Sequence, residues 1–247
     1  MERQKYLLIS LLLIIVTMVQ ASCKQKIFEA YVKSDMQNWK LIIDSLENTT
    51  SLDEEKQLEL LNYQYGYIGW CIGNKRKKEA EQYLKKAENT VESMLKADYL
   101  PSLMYAYKAA FIGFRIGISP YKAPFIGFDS VTFADKALEL DEGNAFAYEQ
   151  KGNIQYYMPT VFGGSKIEAL KYYERALELF EQDSLKVKED WNYLNILGIL
   201  IQANIACDNH EKADTYCSKA LAVAPEFVWV KKELFPELEE KRDNHSK

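Results

Sequence analysis

One pattern recurs four times along this chain: a small residue, three positions, a middle residue, two positions, then alanine. It reads Ala80, Leu84, Ala87; Ser130, Ala134, Ala137; Ala169, Tyr173, Ala176; and Ala213, Cys217, Ala220. Spacings of four and three place each trio on one face of a helix. Small outer residues let a second helix approach closely, and the middle residue fills the space between them. Four such faces cannot be buried one at a time, so a chain built this way folds by stacking helices on one another. The breaker content agrees: 6 Pro and 11 Gly in 247 residues leave room for long helices.

Apolar periodicity predicts helices at about 26–47, 52–73, 76–97, 101–117, 128–140, 145–158, 165–181, 187–207, 210–223 and 226–242. Ser51 and Glu54 form a capping box ahead of the second helix. No low-complexity linker interrupts the series, so residues 23–247 read as one helical domain.

The four trios resemble the second helix of the tetratricopeptide repeat (TPR). The last, EKADTYCSKALAVAP, ends on Pro225 as that family's repeats do, and DKALELDEGNAFAYEQKGN is similar. Gly152 stands at the family's glycine position, Gly66 takes that role in the first unit, and Ile201 replaces it in the last. The resemblance covers about residues 55–226. It implies an all-α, TPR-like solenoid of antiparallel helix pairs. About four repeats with insertions would be closed by a polar C-terminal capping helix carrying ELEEKR. It also implies a concave groove lined by Leu60, Tyr63, Tyr67 and Trp70 from the first unit and Tyr105, Lys108, Phe111 and Arg115 from the second. The third would add Phe146, Glu149, Asn153 and Tyr156, and the last Asn195, Gly198, Gln202 and Ile205. The family's clamp for C-terminal peptide tails needs Lys and Asn at set positions. Asn153 fits, but Glu149 stands where Lys belongs. Aromatics with amides suit an extended peptide, a sugar or an apolar ligand; equally, they could pack against an inserted helix.

The repeat is irregular. The first small residue of each trio recurs after 50, 39 and 44 residues, against an ideal period of roughly 34. Insertions matter because function in loops is carried on a generic scaffold. The first, RIGISPYKAPFIGFDS, repeats the FIGF of residues 111–114 at 125–128 and reads as a long shaped loop around Pro120, Tyr121 and Phe125. The second, Pro159 to Gly163, lies at the equivalent turn of the next unit. Pro159 stops one helix, Gly163 and Gly164 permit a restart, and Ser165 caps the next helix with Glu168 three on. Phe162 either plugs the neighbouring hairpin or forms a rim contact. Equivalent turns of a solenoid align along one edge, so the two insertions are expected to lie side by side and touch. A proline-containing loop followed by P-x-x-FGG is similar to the TPR lipoprotein subunit associated with tripartite (TRAP) uptake systems. That resemblance implies a small ligand or a periplasmic binding protein as partner.

The N-terminus reads as a signal peptide over residues 1–22: Arg3 and Lys5, then the uncharged run Tyr6 to Val19. Ala21-Ser22-Cys23 resembles a lipoprotein signal with Cys23 lipidated, although Gln20 departs from its usual aliphatic residue. Alternatively, a soluble exported chain begins at Ser22. The expected place is the periplasmic side of a bacterial membrane, with membrane contact through a lipid anchor only; the unlipidated alternative is a soluble periplasmic or secreted protein.

Net charge is −5, which argues against a nucleic-acid partner. With two His and no CxxC pair, no metal or other cofactor is expected. Cys207 and Cys217 read either as core residues or as a disulfide across a hairpin. No Ser/His/Asp set, HExxH or phosphate loop is present, so a non-enzymatic role is expected. The two roles that fit are an envelope scaffold that binds a protein or peptide, and a ligand-binding accessory of an uptake system.

Overall fold

A computed structural model describes residues 23–182 and 187–245; the expected signal segment lies outside them. The described residues are all-α. Helix α1 spans 23–32. It is followed by α2 (Met36–Glu47), α3 (Glu54–Gly73), α4 (Lys77–Lys96), α5 (Pro101–Ile118), α6 (Ala123–Leu140), α7 (Ala145–Tyr157), α8 (Lys166–Glu181), α9 (Trp191–Ile205) and α10 (His210–Val223). A π turn at Val230–Leu234 leads into α11 (Phe235–His245). Helices α3 and α4, α5 and α6, α7 and α8, and α9 and α10 form antiparallel pairs, and each pair packs on the next.

The repeated trios are the seams of these pairs. All twelve of their residues are buried, most of them completely. Close approach is visible at Gly152, where an added Cβ would stand 2.3 Å from the Tyr173 ring. In the second pair two serines bind the facing helix: Ser130 Oγ donates to the Ala109 carbonyl at 2.9 Å and Ser102 Oγ to that of Ala137 at 2.8 Å.

Three features differ from expectation. The first helix is two, broken at Ser34, which adopts a left-handed φ of 54°. Asp35 then caps α2 by accepting the Asn38 N–H at 3.1 Å. Helix α1 bridges the two cores, since Ile27 and Ala30 join the N-terminal apolar cluster and Val32 the C-terminal one, while Met36, Trp39 and Ile43 of α2 join the N-terminal cluster. The second FIGF is helical, because α6 begins at Ala123 after a tight 3-10 turn at Pro120–Lys122. The longest insertion is therefore spent on lengthening α5 and α6, with Pro124 tolerated in the first turn of α6. Finally, the last element carries apolar residues inward as well as a polar face. Phe227, Val230, Leu234 and Leu238 are buried on the C-terminal cluster. All four cysteines are free, so Cys207 and Cys217 form no disulfide, and Cys217 sits in the core.

The Pro159–Gly163 insertion folds as a 3-10 turn, Thr160–Phe162, ending on Gly163 at φ 95°. Gly164 is fixed by crowding: a Cβ there would lie 1.8 Å from the Met158 carbonyl oxygen. Ser165 accepts the Glu168 N–H at 3.2 Å and starts α8 on register.

Candidate functional site

The first helices of the four pairs face one another across the interior, and the stack curls until its ends meet. On α3, Asn62 donates to the Asn192 side chain of α9 at 2.9 Å and accepts the Trp191 indole N–H at 2.7 Å. Helix α1 enters the same space. Its Tyr31 packs edge-on against Trp39 and Trp191, tilts against Phe227, and donates to Asn195 Oδ1 at 2.9 Å. What the sequence reads as an open groove is a filled interior.

Its polar centre is Glu149, which is 1% exposed. Glu149 accepts the Tyr65 hydroxyl at 3.1 Å and the Asn195 amide at 3.4 Å. Gln150 donates to the Tyr65 oxygen, Asn153 to Gln150, and Tyr173 to Asn153, so one hydrogen-bonded chain ties α1, α3, α7, α8 and α9. Burial raises the carboxyl pKa to about 7, against a smaller lowering by the Tyr65 hydrogen bond. Burial, followed by the Glu149 charge, pushes the Tyr31 and Tyr65 hydroxyls up as well.

The register of the lining differs from the sequence reading in the first two units. Gly66 does not receive its partner helix: a Cβ there would meet Trp39 at 2.7 Å and Trp191 at 2.8 Å. Asn62 and Tyr65 therefore turn inward. Tyr67 and Trp70 stack on each other, and Tyr67 turns onto α4, with its ring edge-on to Tyr83 and its hydroxyl donating to Glu79. Tyr63 packs on Trp39, which donates its indole N–H to the Tyr63 carbonyl. In α5, Tyr107 turns inward against Phe146 and Tyr65. Lys108 pairs with Glu92 and Arg115 with Glu88, both on α4, and Phe111 is buried beside Tyr107. In the third unit, Asn153 lies inside as expected. Tyr156 is half-buried beneath Lys166 and against Tyr157. Asn62, Tyr65 and Tyr107 are thus the residues missed. The signal was available: Ile68 precedes Ala80 by the twelve residues that separate Ile201 from Ala213.

Two open surfaces stand out among the described residues. One is a depression of about 460 Å³ at the starts of α3, α5, α7 and α9, lined among others by Glu59, Asn62, Tyr63, Tyr107, Phe146 and Trp191. Lys24 of α1 also lines it, so Cys23 stands near this mouth; Glu59 contributes to raising its thiol pKa, after burial. The second is the opposite edge, formed by the turns after α5 and α7. These helices run in the same direction and pack on each other. Their starts are level, because Asn144 donates to Ser102 at 2.8 Å. With 18 residues against 13, α5 projects about 7 Å further. Tyr121, Phe125 and Phe128 are exposed on its hairpin, and Tyr157, Val161, Phe162 and Ile167 on the next. Phe125 and Val161 are each 83% exposed, and Phe162, at 59%, does not plug the hairpin. The two insertions share an edge, but no hydrogen bond, ion pair or ring contact joins them among the described residues.

No family model matches the sequence, and no curated protein matches it. Among solved structures, the HusA haemophore from Porphyromonas gingivalis is similar, at a TM-score of 0.59 and 17% sequence identity. The likeness covers 74% of this chain and 92% of that one. At that identity it shows the shared helical fold and nothing finer.

Proposed function

We propose that this chain is an exported, TPR-like, non-enzymatic binding protein that engages a partner protein through the edge formed by the turns after α5 and α7. The observation that carries the reading is the apolar side chains at two adjacent hairpin tips, left in water while the interior is filled by the chain itself. Exposed apolar clusters of this kind mark interaction sites. The filled interior argues against the concave groove as the peptide site, since Trp39, Trp191, Tyr31 and Phe227 already occupy one another there. The N-terminal sequence supports export, and lipidation of Cys23 would put the anchor at the mouth end, with the apolar tips facing away from the membrane. A photo-reactive side chain at position 125 tests the edge. It should cross-link one defined envelope protein, the same group at exposed position 178 should not, and Phe162→Ala should abolish the product. Equal cross-linking from both positions would refute the edge. Mass spectrometry of the mature N-terminus decides between an acylated Cys23 and an unmodified start at Ser22.

A second reading has its own support. The similar fold belongs to a haemophore, and an edge with Phe125, Phe128, Tyr121 and Tyr157 exposed offers aromatic faces to a planar apolar ligand such as haem. Titration with haem, followed by its absorbance, separates the readings. A saturable spectral change lost in Phe125→Ala/Phe162→Ala supports the ligand; a featureless titration removes it.

A further inference from the structure

The depression at the opposite edge is not used by either reading. We propose that it binds an organic cation with an apolar body, of the alkyl- or arylammonium class. Its volume, about 460 Å³, lies in the range of small-molecule sites. Three carboxylates line it: Glu55, Glu59 and Asp190. Glu59 spends one oxygen on the Tyr63 hydroxyl. Asp190 spends one on the backbone and side-chain N–H groups of Asn192, at 2.7 and 2.8 Å. Their second oxygens, and both oxygens of Glu55, have no hydrogen bond or ion pair among the described residues. Glu59 and Asp190 line the same depression as Tyr63. Lys24 contributes one positive charge to the lining, which leaves it acidic.

The walls between these carboxylates are aromatic. Tyr63, Tyr107, Phe146, Phe180 and Trp191 all line the space, with Leu58 and Leu103. Carboxylates around an aromatic-lined depression suit an ammonium group with an apolar body, through charge and apolar contact together. Helix starts also gather here, and their partial positive charge would favour an anion. Two of those starts are already capped by carboxylates of the chain itself. Asp53 caps α3 and Asp190 caps α9, each accepting a backbone N–H of its own helix. An anion would meet the remaining carboxylate oxygens instead.

The site is independent of the apolar edge, so each can fail alone. Isothermal titration of the purified protein with benzyltrimethylammonium should show saturable binding, while benzoate, its anionic counterpart, should show none. Glu59→Gln/Asp190→Asn should bind the ammonium about tenfold more weakly, because Gln keeps an acceptor for Tyr63 and Asn keeps a cap for α9. Phe125→Ala/Phe162→Ala should bind it as the parent does. If the double acidic variant fails to fold by circular dichroism, Glu55→Gln on the first turn of α3 takes its place, with a weakening of about threefold expected. Three results overturn the proposal: no saturable ammonium binding, benzoate binding as tight, or unchanged affinity when the carboxylates are neutralised.

Discussion

The interior and the turn edge of this molecule hold the same kinds of side chain in opposite circumstances. Inside, Trp39, Trp191, Tyr31, Tyr65 and Phe227 are held in edge-on and tilted ring contacts, and the indole N–H groups reach carbonyl or amide oxygens. On the edge, Tyr121, Phe125, Phe128 and Phe162 face solvent. The difference separates aromatics that stabilise the fold from aromatics available to something else. A stack of helices has no need to leave phenylalanine in water, so the edge is where binding is expected and the interior is where stability is expected.

The largest effect should come from the interior. Trp39 is fully buried, and its ring fills the space that Gly66 leaves open between α2, α3 and α9. Trp39→Ala should cost about 3–5 kcal/mol in chemical denaturation, because both the cavity and the indole bond to Tyr63 are lost. A cost below about 1 kcal/mol would mean that the curl of the stack does not depend on this contact.

Glu149 sharpens the same contrast with a smaller effect and a pH signature. Its carboxyl is raised from 4.5 to about 7 in the folded protein. Between those values the folded state binds more protons at Glu149 than the unfolded one, so the contribution of Glu149 to stability is fully present below about 4.5, is lost as pH rises through about 7, and is flat above. Glu149→Gln should remove this slope. Above pH 8 it should stabilise by about 1–2 kcal/mol, the relief of a buried charge less the cost of an amide donor without a partner. Denaturation curves across pH 4 to 9 decide it. A slope that survives in the variant would assign the titration to another group.

Much of the fold was legible in the sequence. The twelve positions of the repeated trios are the helix seams, and the third unit's register is as read, because Gly152 does lie on Tyr173. Lining residues were less legible, for a physical reason. Gly66 and Gly152 look alike in sequence, yet one receives tryptophans from distant helices and the other receives its own pair. A glycine marks a close approach without saying what approaches. The break at Ser34 was hidden because a left-handed serine gives no glycine or proline signal. Pro120 and Pro124 misled in the other direction: each starts a helical element, where proline is well tolerated, and neither marks a loop.

Arg115 tests that point about register. The sequence places it in the groove, whereas the structure sets it against Glu88 on α4 with two bonds, at 2.5 and 2.7 Å. Arg115→Ala should therefore leave partner and ligand binding unchanged and cost at most about 1 kcal/mol, since the pair is partly exposed to solvent. A loss of binding without loss of stability would return Arg115 to a recognition surface.

The smallest stability effect belongs to the edge, and there it carries the most meaning. Phe125 and Phe162 stay 83% and 59% exposed after folding, so Phe125→Ala/Phe162→Ala should change stability by no more than about 0.5 kcal/mol. Their removal deletes apolar area that only an added partner would cover, which is worth about 1.5–3 kcal/mol for each fully buried phenylalanine. Two such losses would weaken an association by at least a hundredfold, while the melting curve stays where it was. Unchanged stability with lost cross-linking is the outcome that separates the edge from the interior. A drop in stability like that of Trp39→Ala would instead show that these tips pack against the body, and the contrast between the two regions would collapse.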